Sequence, residues 1–249
     1  MAGHSQFKNI MHRKGAQDAK RAKLFTKLLR EVTVATKTSG PDTDTNPRLR
    51  TALFQCRSAN VPKDTIDRAI SKASETAEHY DSLYYEGRGP GNTALIIHVL
   101  TDNKNRSACD VRTALSKHGG SLADVGFLFD HYGIIDYTDQ DPLTLMDYAL
   151  DHGALDIEER SHGNQPIQRI ICERDQFLNL REALEEKFNQ PLKASLSWQA
   201  KMPLQLGQEH QVSIMKLIHA LEDLDDVQAV WTNADDDLAP LHAAEETEE

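Results

Sequence analysis

"YGIIDYTDQDPLTLMDYALDHGALDIEERSHGNQPIQRIICERDQFLNLREALEEKFNQPLKASLSWQ", residues 132–199, carries the pattern on which the architecture turns. "YGIIDYT" predicts a strand and "DPLTLMDYALDHG" a helix that turns Leu143, Met146 and Leu150 inward. "ALDIEER" and "IQRIICER" read as two strands joined by the turn "SHGNQP". "DQFLNLREALEEKFN" then reads as an amphipathic helix and "KASLSWQ" as the closing strand. The order β-α-β-β-α-β is the ferredoxin-like signature, so residues 131–202 are expected to form one such module.

Working outward, the C-terminal side offers a helix with Val212, Met215, Ile218, Leu221 and Leu224, then the strand "VQAVWTN". That piece is too small to bury a core alone. On the N-terminal side "TALIIHVLTD" predicts a buried strand. Asn105 is expected to cap a helix carrying Val111, Ala114 and Leu115, which stops at "KHGG" because glycine suits the position past a helix end. "VGFLFD" reads as the next strand, giving a β-α-β unit that the distant helix and strand would complete. Residues 81–130 and 203–234 are therefore expected to form one discontinuous α/β domain into which residues 131–202 are inserted. "YYEGRGPGN" is rich in turn residues and places a boundary near residue 80, while the acidic tail 235–249 is expected to be disordered.

The remaining segment, residues 1–80, reads as helical. From Gln17 to Lys37, Ala22, Phe25, Leu28, Leu29, Val32 and Ala35 share one stripe, and Lys20, Lys23, Lys27 and Arg30 fall on another face. "TSGPDTDTNP" breaks the helix, and Asn46 before Pro47 starts the next, with Leu49, Ala52, Leu53, Cys56 and Ala59 inward. After "ANVPKDT", Ile66, Ala69, Ile70 and Ala73 mark a third helix. The fold class expected is α+β and multidomain: a basic three-helix bundle followed by two α/β modules, one inserted in the other.

Charge is unevenly spread along the 249 residues, whose formal net charge is −11. Residues 1–80 hold 15 basic and 8 acidic side chains, a net +7; residues 81–249 hold 13 and 31, a net −18. Such asymmetry points to one part that meets a polyanion and another that repels it. Cys56, Cys109 and Cys172 form no CxxC pair, and no apolar run approaches the roughly 20 residues that span a bilayer. A cytoplasmic protein with no membrane partner and no cofactor is expected.

Catalytic patterns are absent from the sequence: there is no HExxH, Gly-x-Ser-x-Gly, Walker-type or GxGxxG motif. "GRGPGN" lacks the flanking strand and Lys-Ser/Thr of a phosphate cradle and reads as a turn. The acids at Asp223, Asp225 and Asp226 lack the spacing of a dedicated cation site and read as a solvated surface. "TDNKNR" follows a strand, so Asp102, Asn103, Asn105 and Arg106 are either turn and cap residues or a candidate functional loop.

Four readings compete for the basic arm: a transit peptide, a solvated lysine face, a membrane-surface helix, and a polyanion contact. The arm runs directly into a core helix, which argues against a removable address, and its bulky apolar residues are needed for the bundle rather than lipid. Polyanion binding accounts for charge, density and position together. The helices around "ANVP" could imitate a helix-turn-helix with Lys63, Thr65, Asp67 and Arg68 at the front of the later helix, though two packed helices suffice to explain them.

"MAGHS", "HRKGAQDAKRAKLFTKLLRE", "NPRLR", "YEGRGPG", "TDNKNR" and "LSKHGG", in this order, closely resemble the YebC/PmpR family. The resemblance implies three domains and a bacterial cytoplasmic transcriptional regulator that binds DNA. It also brings an alternative, since mitochondrial relatives act as translational activators and some bacterial members resemble ribosome-associated factors, so ribosome or mRNA is the rival partner. The nucleic-acid-binding residues implied by matching positions are His12, Arg13, Lys14, Lys20, Arg21, Lys23, Lys27, Arg30, Arg48 and Arg50. Gln6-Phe7 depart from the usual Lys-Trp, Asn92 replaces a frequent Gly, and "GGSLADVGFLFD" runs about three residues short of the family pattern.

Overall fold

A computed structural model describes residues 3–75, 80–138, 140–162 and 165–235, with side chains from Arg21 onward apart from those of Ser161 and His162. The chain divides into two compact units, Met1–His79 and Tyr80–Glu249. The expected tail falls largely outside the described residues.

The first unit is built from α1 (Gly3–Ser39), α2 (Pro47–Ser58) and α3 (Lys63–Glu75). Val32 and Ala35 of α1 meet Leu49, Ala52 and Cys56 of α2 and Ile66 of α3, with Phe25, Leu28 and Leu29 packed alongside. Burial pushes the Cys56 thiol up to about 11. Asn46 does more than cap. Its Oδ1 accepts from Leu49 N (3.0 Å), and its Nδ2 donates to Ala35 O (2.8 Å) and Gly40 O (2.7 Å). One fully buried amide thus fastens the end of α1 to the start of α2.

The second unit runs β1 (Asp81–Arg88), β2 (Ala94–Thr101), α4 (Lys104–Lys117), β3 (Ser121–Leu122), β4 (Phe129–Tyr137), α5 (Pro142–Asp151) and β5 (Ala154–His162). It continues through β6 (Gln165–Glu173), α6 (Phe177–Phe188), β7 (Lys193–Ala200), α7 (Gln208–Glu222) and β8 (Val227–Thr232). Two antiparallel four-stranded sheets result, ordered β3-β1-β2-β8 and β5-β6-β4-β7. The second has ferredoxin-like order and is inserted, because β8 returns to the first sheet after β7.

On the first sheet, Leu95, Ile97 and Val99 alternate toward α4 and α7, where Val111, Leu115, Leu217 and Leu221 close the core. The opposite face carries Ala94 and Ile96, which meet Val125, Phe129, Trp198 and Trp231, so the two sheets share a small apolar junction. An aromatic chain crosses it: Tyr84 stacks on His98 (4.8 Å) and meets Trp198 edge-on (5.7 Å), which stacks on His131 (4.4 Å). Burial, and then the Arg174 charge, holds the His131 pKa below the ordinary 6.5.

Four local expectations are corrected. The first half of "YYEGRGPGN" is strand rather than turn, being the end of β1, while the division of the chain does fall near residue 80. Gly87 in that strand is required by packing, since a Cβ there would lie 3.0 Å from Ser121 O and 3.2 Å from Leu115 Cδ1. "VGFLFD" is not a strand of the first sheet: Gly126–Leu128 form a 3-10 turn, and Phe129 opens β4 in the other sheet. Asn103, not Asn105, caps α4, accepting from Arg106 N at 3.1 Å. Finally, α5 buries Leu145 and Ala149 and turns Leu143, Met146 and Leu150 outward. The spacing of the latter three marked a helical stripe correctly; a second, smaller stripe with Leu145 at its centre fits the sheet.

Candidate nucleic-acid interface

The cationic face rests on α1. Its apolar stripe is committed to the bundle core, and helical geometry sets Lys20, Lys23, Lys27 and Arg30 within an arc of roughly 80° on the far side, at about 100° per residue. These four span about 15 Å along the axis, a length over which duplex DNA presents about nine phosphate charges. Lys23, Lys27 and Arg30 are half-buried and Arg21 is exposed. Arg21 lies off this arc, with its guanidinium 5.2 Å from the Phe25 ring centroid. The same arc ends at Val34, which is buried, so the cationic face belongs to the part of α1 before it. His12, Arg13, Lys14 and Lys20 lie in the helical backbone of α1, with side chains outside the described residues.

Arg48 and Arg50 have structural partners. Arg48 Nε donates to Glu31 Oε1 at 2.7 Å, tying α2 to α1. Arg50 donates to Thr43 O (2.8 Å) and Asp44 O (2.9 Å), closing the connection before α2. Exposed Arg57, Lys63, Arg68 and Lys72 on α2 and α3 add cations that the motif reading of the arm did not include. Lys63 and Arg68 stand on the later helix of the pair around "ANVP", whereas Arg57 and Lys72 were legible only as single basic residues, without the density that singled out α1.

The loop "TDNKNR" is drawn together by a residue far away in sequence. Asp226 Oδ2 accepts from Arg106 (2.7 Å), Ser107 Oγ (2.6 Å) and Thr101 Oγ1 (3.0 Å). Arg106 also pairs with Asp102 at 2.7 Å, and Asn103 N donates to Thr101 Oγ1 at 2.9 Å. The hydrogen bond to Asp226, then that to Asp102, raises the Arg106 pKa and fixes its charge. Asp102, Asn103 and Arg106 thus have turn, cap and ion-pair work, while Asn105 stands exposed on the first turn of α4. Asp226 is a nearly buried anchor rather than part of a solvated acidic surface. No local signal in the sequence could have linked it to a loop some 120 residues earlier.

"GRGPGN" is likewise consumed by packing. A Cβ on Gly89 would lie 2.8 Å from Thr93 Oγ1 and 2.9 Å from Ile214 Cδ1, so this turn seats directly against α7. Asn92 adopts φ +63°, a left-handed conformation that asparagine tolerates better than most residues, which lets it stand where the family often has glycine. Among the described residues no group of three or more His, Cys, Asp or Glu is placed to hold a metal ion, and no helix is long and apolar enough to cross a membrane.

A basic helical bundle followed by two nested α/β modules defines a multidomain α+β protein with one strongly cationic helix. Residues 5–76 match the TACO1/YebC protein N-terminal domain, and residues 80–234 match the TACO1/YebC second and third domain. The chain is also similar to the crystal structure of a conserved hypothetical protein from Aquifex aeolicus. That likeness has 37% identity and a TM-score of 0.77, covering 88% of this chain and 91% of the other. The chain belongs to the TACO1/YebC family.

Proposed function

We propose that the protein is a cytoplasmic, non-enzymatic regulator that binds nucleic acid through its basic helical unit, with duplex DNA as the leading partner and transcription as the process controlled. The observation that carries this reading is the split use of α1: one face closes the bundle, and the other presents Lys20, Lys23, Lys27 and Arg30. Each such cation can neutralise a phosphate and release a condensed counterion. The α/β unit, acidic in composition, repels the same polyanion and so confines the contact to the bundle.

A ribosome-associated translation factor is the second reading. It is favoured by the matched family models, which span the YebC and TACO1 proteins together. Co-sedimentation of the full chain with ribosomes at physiological salt, run beside binding to genomic DNA fragments, separates the two. Retention of a preferred DNA site without ribosome binding supports the regulator. Ribosome binding with no preferred DNA site overturns it in favour of the translation factor.

A further inference from the structure

Helix α5 turns an apolar stripe outward. Leu143, Met146 and Leu150 are 67%, 37% and 48% exposed, and their i, i+3, i+7 spacing aligns them within an arc of roughly 60°. Helix α6 lies beside α5, where Tyr148 Oη donates to Ala183 O at 3.4 Å and Lys187 approaches the Tyr148 ring at 6.0 Å. On the α6 side of the stripe stand the exposed carboxylates Asp147 and Asp151, and α6 adds exposed Glu182 and Glu186. Lys187 is the one exposed cation of these two helices. An apolar ridge bordered by carboxylates results.

We propose that this face docks a cationic amphipathic helix of a protein partner, whose apolar side chains cover Leu143, Met146 and Leu150 while its lysines or arginines meet Asp147 and Asp151. Charge selects the occupant. Nucleic acid and anionic lipid are repelled by the carboxylate border, as is the acidic segment 236–249 of the chain itself. A second copy of the same face would set Asp147 and Asp151 against their own equivalents. The chain's own basic helix, α1, has already committed its apolar stripe to the bundle. A cationic helix alone satisfies both halves of the surface, its apolar face meeting the ridge and its cations the carboxylate border.

The test uses the full chain and a synthetic helical peptide with leucine along one face and lysine on the others, followed by fluorescence anisotropy. Two controls are a scrambled peptide of the same composition and a version with glutamate for lysine. Salt-sensitive binding of the helical lysine peptide, with both controls much weaker, is expected. The variant Leu143→Ser/Met146→Ser/Leu150→Ser, altered only at exposed positions, should lose about tenfold in affinity. Asp147→Asn/Asp151→Asn should lose about threefold and show a shallower salt dependence. Circular dichroism of both variants should match the wild type. Equal binding of the scrambled peptide, unchanged affinity in the triple-serine variant, or a wild-type dimer that this variant dissolves would each overturn the proposal.

Discussion

The two units of this chain handle charge in opposite ways. In the helical unit Lys20, Lys23, Lys27 and Arg30 of α1 fall on the arc opposite the apolar stripe. In the α/β unit the carboxylates that matter are turned inward: Asp226 gathers Thr101, Arg106 and Ser107, and Asp136 holds Arg169 in a two-point pair at 2.8 and 3.0 Å. Glu86 Oε2 accepts from Val125 N (2.7 Å) and Gly126 N (2.6 Å), fixing the turn that leads into β4. Net charge alone therefore misleads about role. A buried charge held by hydrogen bonds is structural whatever the sign of its domain.

This contrast can be broken first at Asp226. Replacing it with Ala removes three charge-assisted hydrogen bonds and leaves the buried Thr101 hydroxyl without its acceptor, so a loss of about 3 kcal/mol is expected in urea unfolding of the α/β unit. Asn46→Ala should cost the helical unit about 2 kcal/mol, since two carbonyls and the Leu49 amide lose their partner together. Neither variant should alter the salt dependence of nucleic-acid binding where the fold persists.

The smallest effect concerns His131. Its folded pKa lies below 6.5, so the unfolded chain takes up the proton first as pH falls. The stability contributed by the neutral ring is present above the unfolded value and is lost as pH drops from about 6.5 toward the depressed folded value. His131→Phe keeps a ring against Trp198 and should remove this component, so the wild type should lose more stability than the variant as pH falls. Parallel unfolding curves between pH 7.5 and roughly 5 check it, and an identical pH response in both proteins would contradict it.

Periodicity made most elements legible. Asn46-Pro47, the α1 stripe and the six-element inserted module could all be read because local chemistry and tertiary packing agree there. It failed where packing overrode local pattern. Gly87 looks like a turn residue yet sits in β1 because Leu115 and the β3 backbone come so close. In α5 the larger apolar stripe was assigned to the core, whereas the sheet accepts only Leu145 and Ala149. The candidate interface was legible as charge density along α1, but the loop at Asp102–Arg106 could not be understood without Asp226, whose partnership is purely tertiary.

The central claim, that the far side of α1 grips phosphates, is tested most directly by the salt dependence of binding to duplex DNA. The full chain is compared with the variant Lys20→Gln/Lys23→Gln/Lys27→Gln/Arg30→Gln, and circular dichroism confirms that both are folded. If these four cations each displace a counterion, the plot of log affinity against log salt should be steeper in the wild type by about 3.6. An identical slope in the two proteins would contradict the account and leave the four as solvated residues of a structural helix.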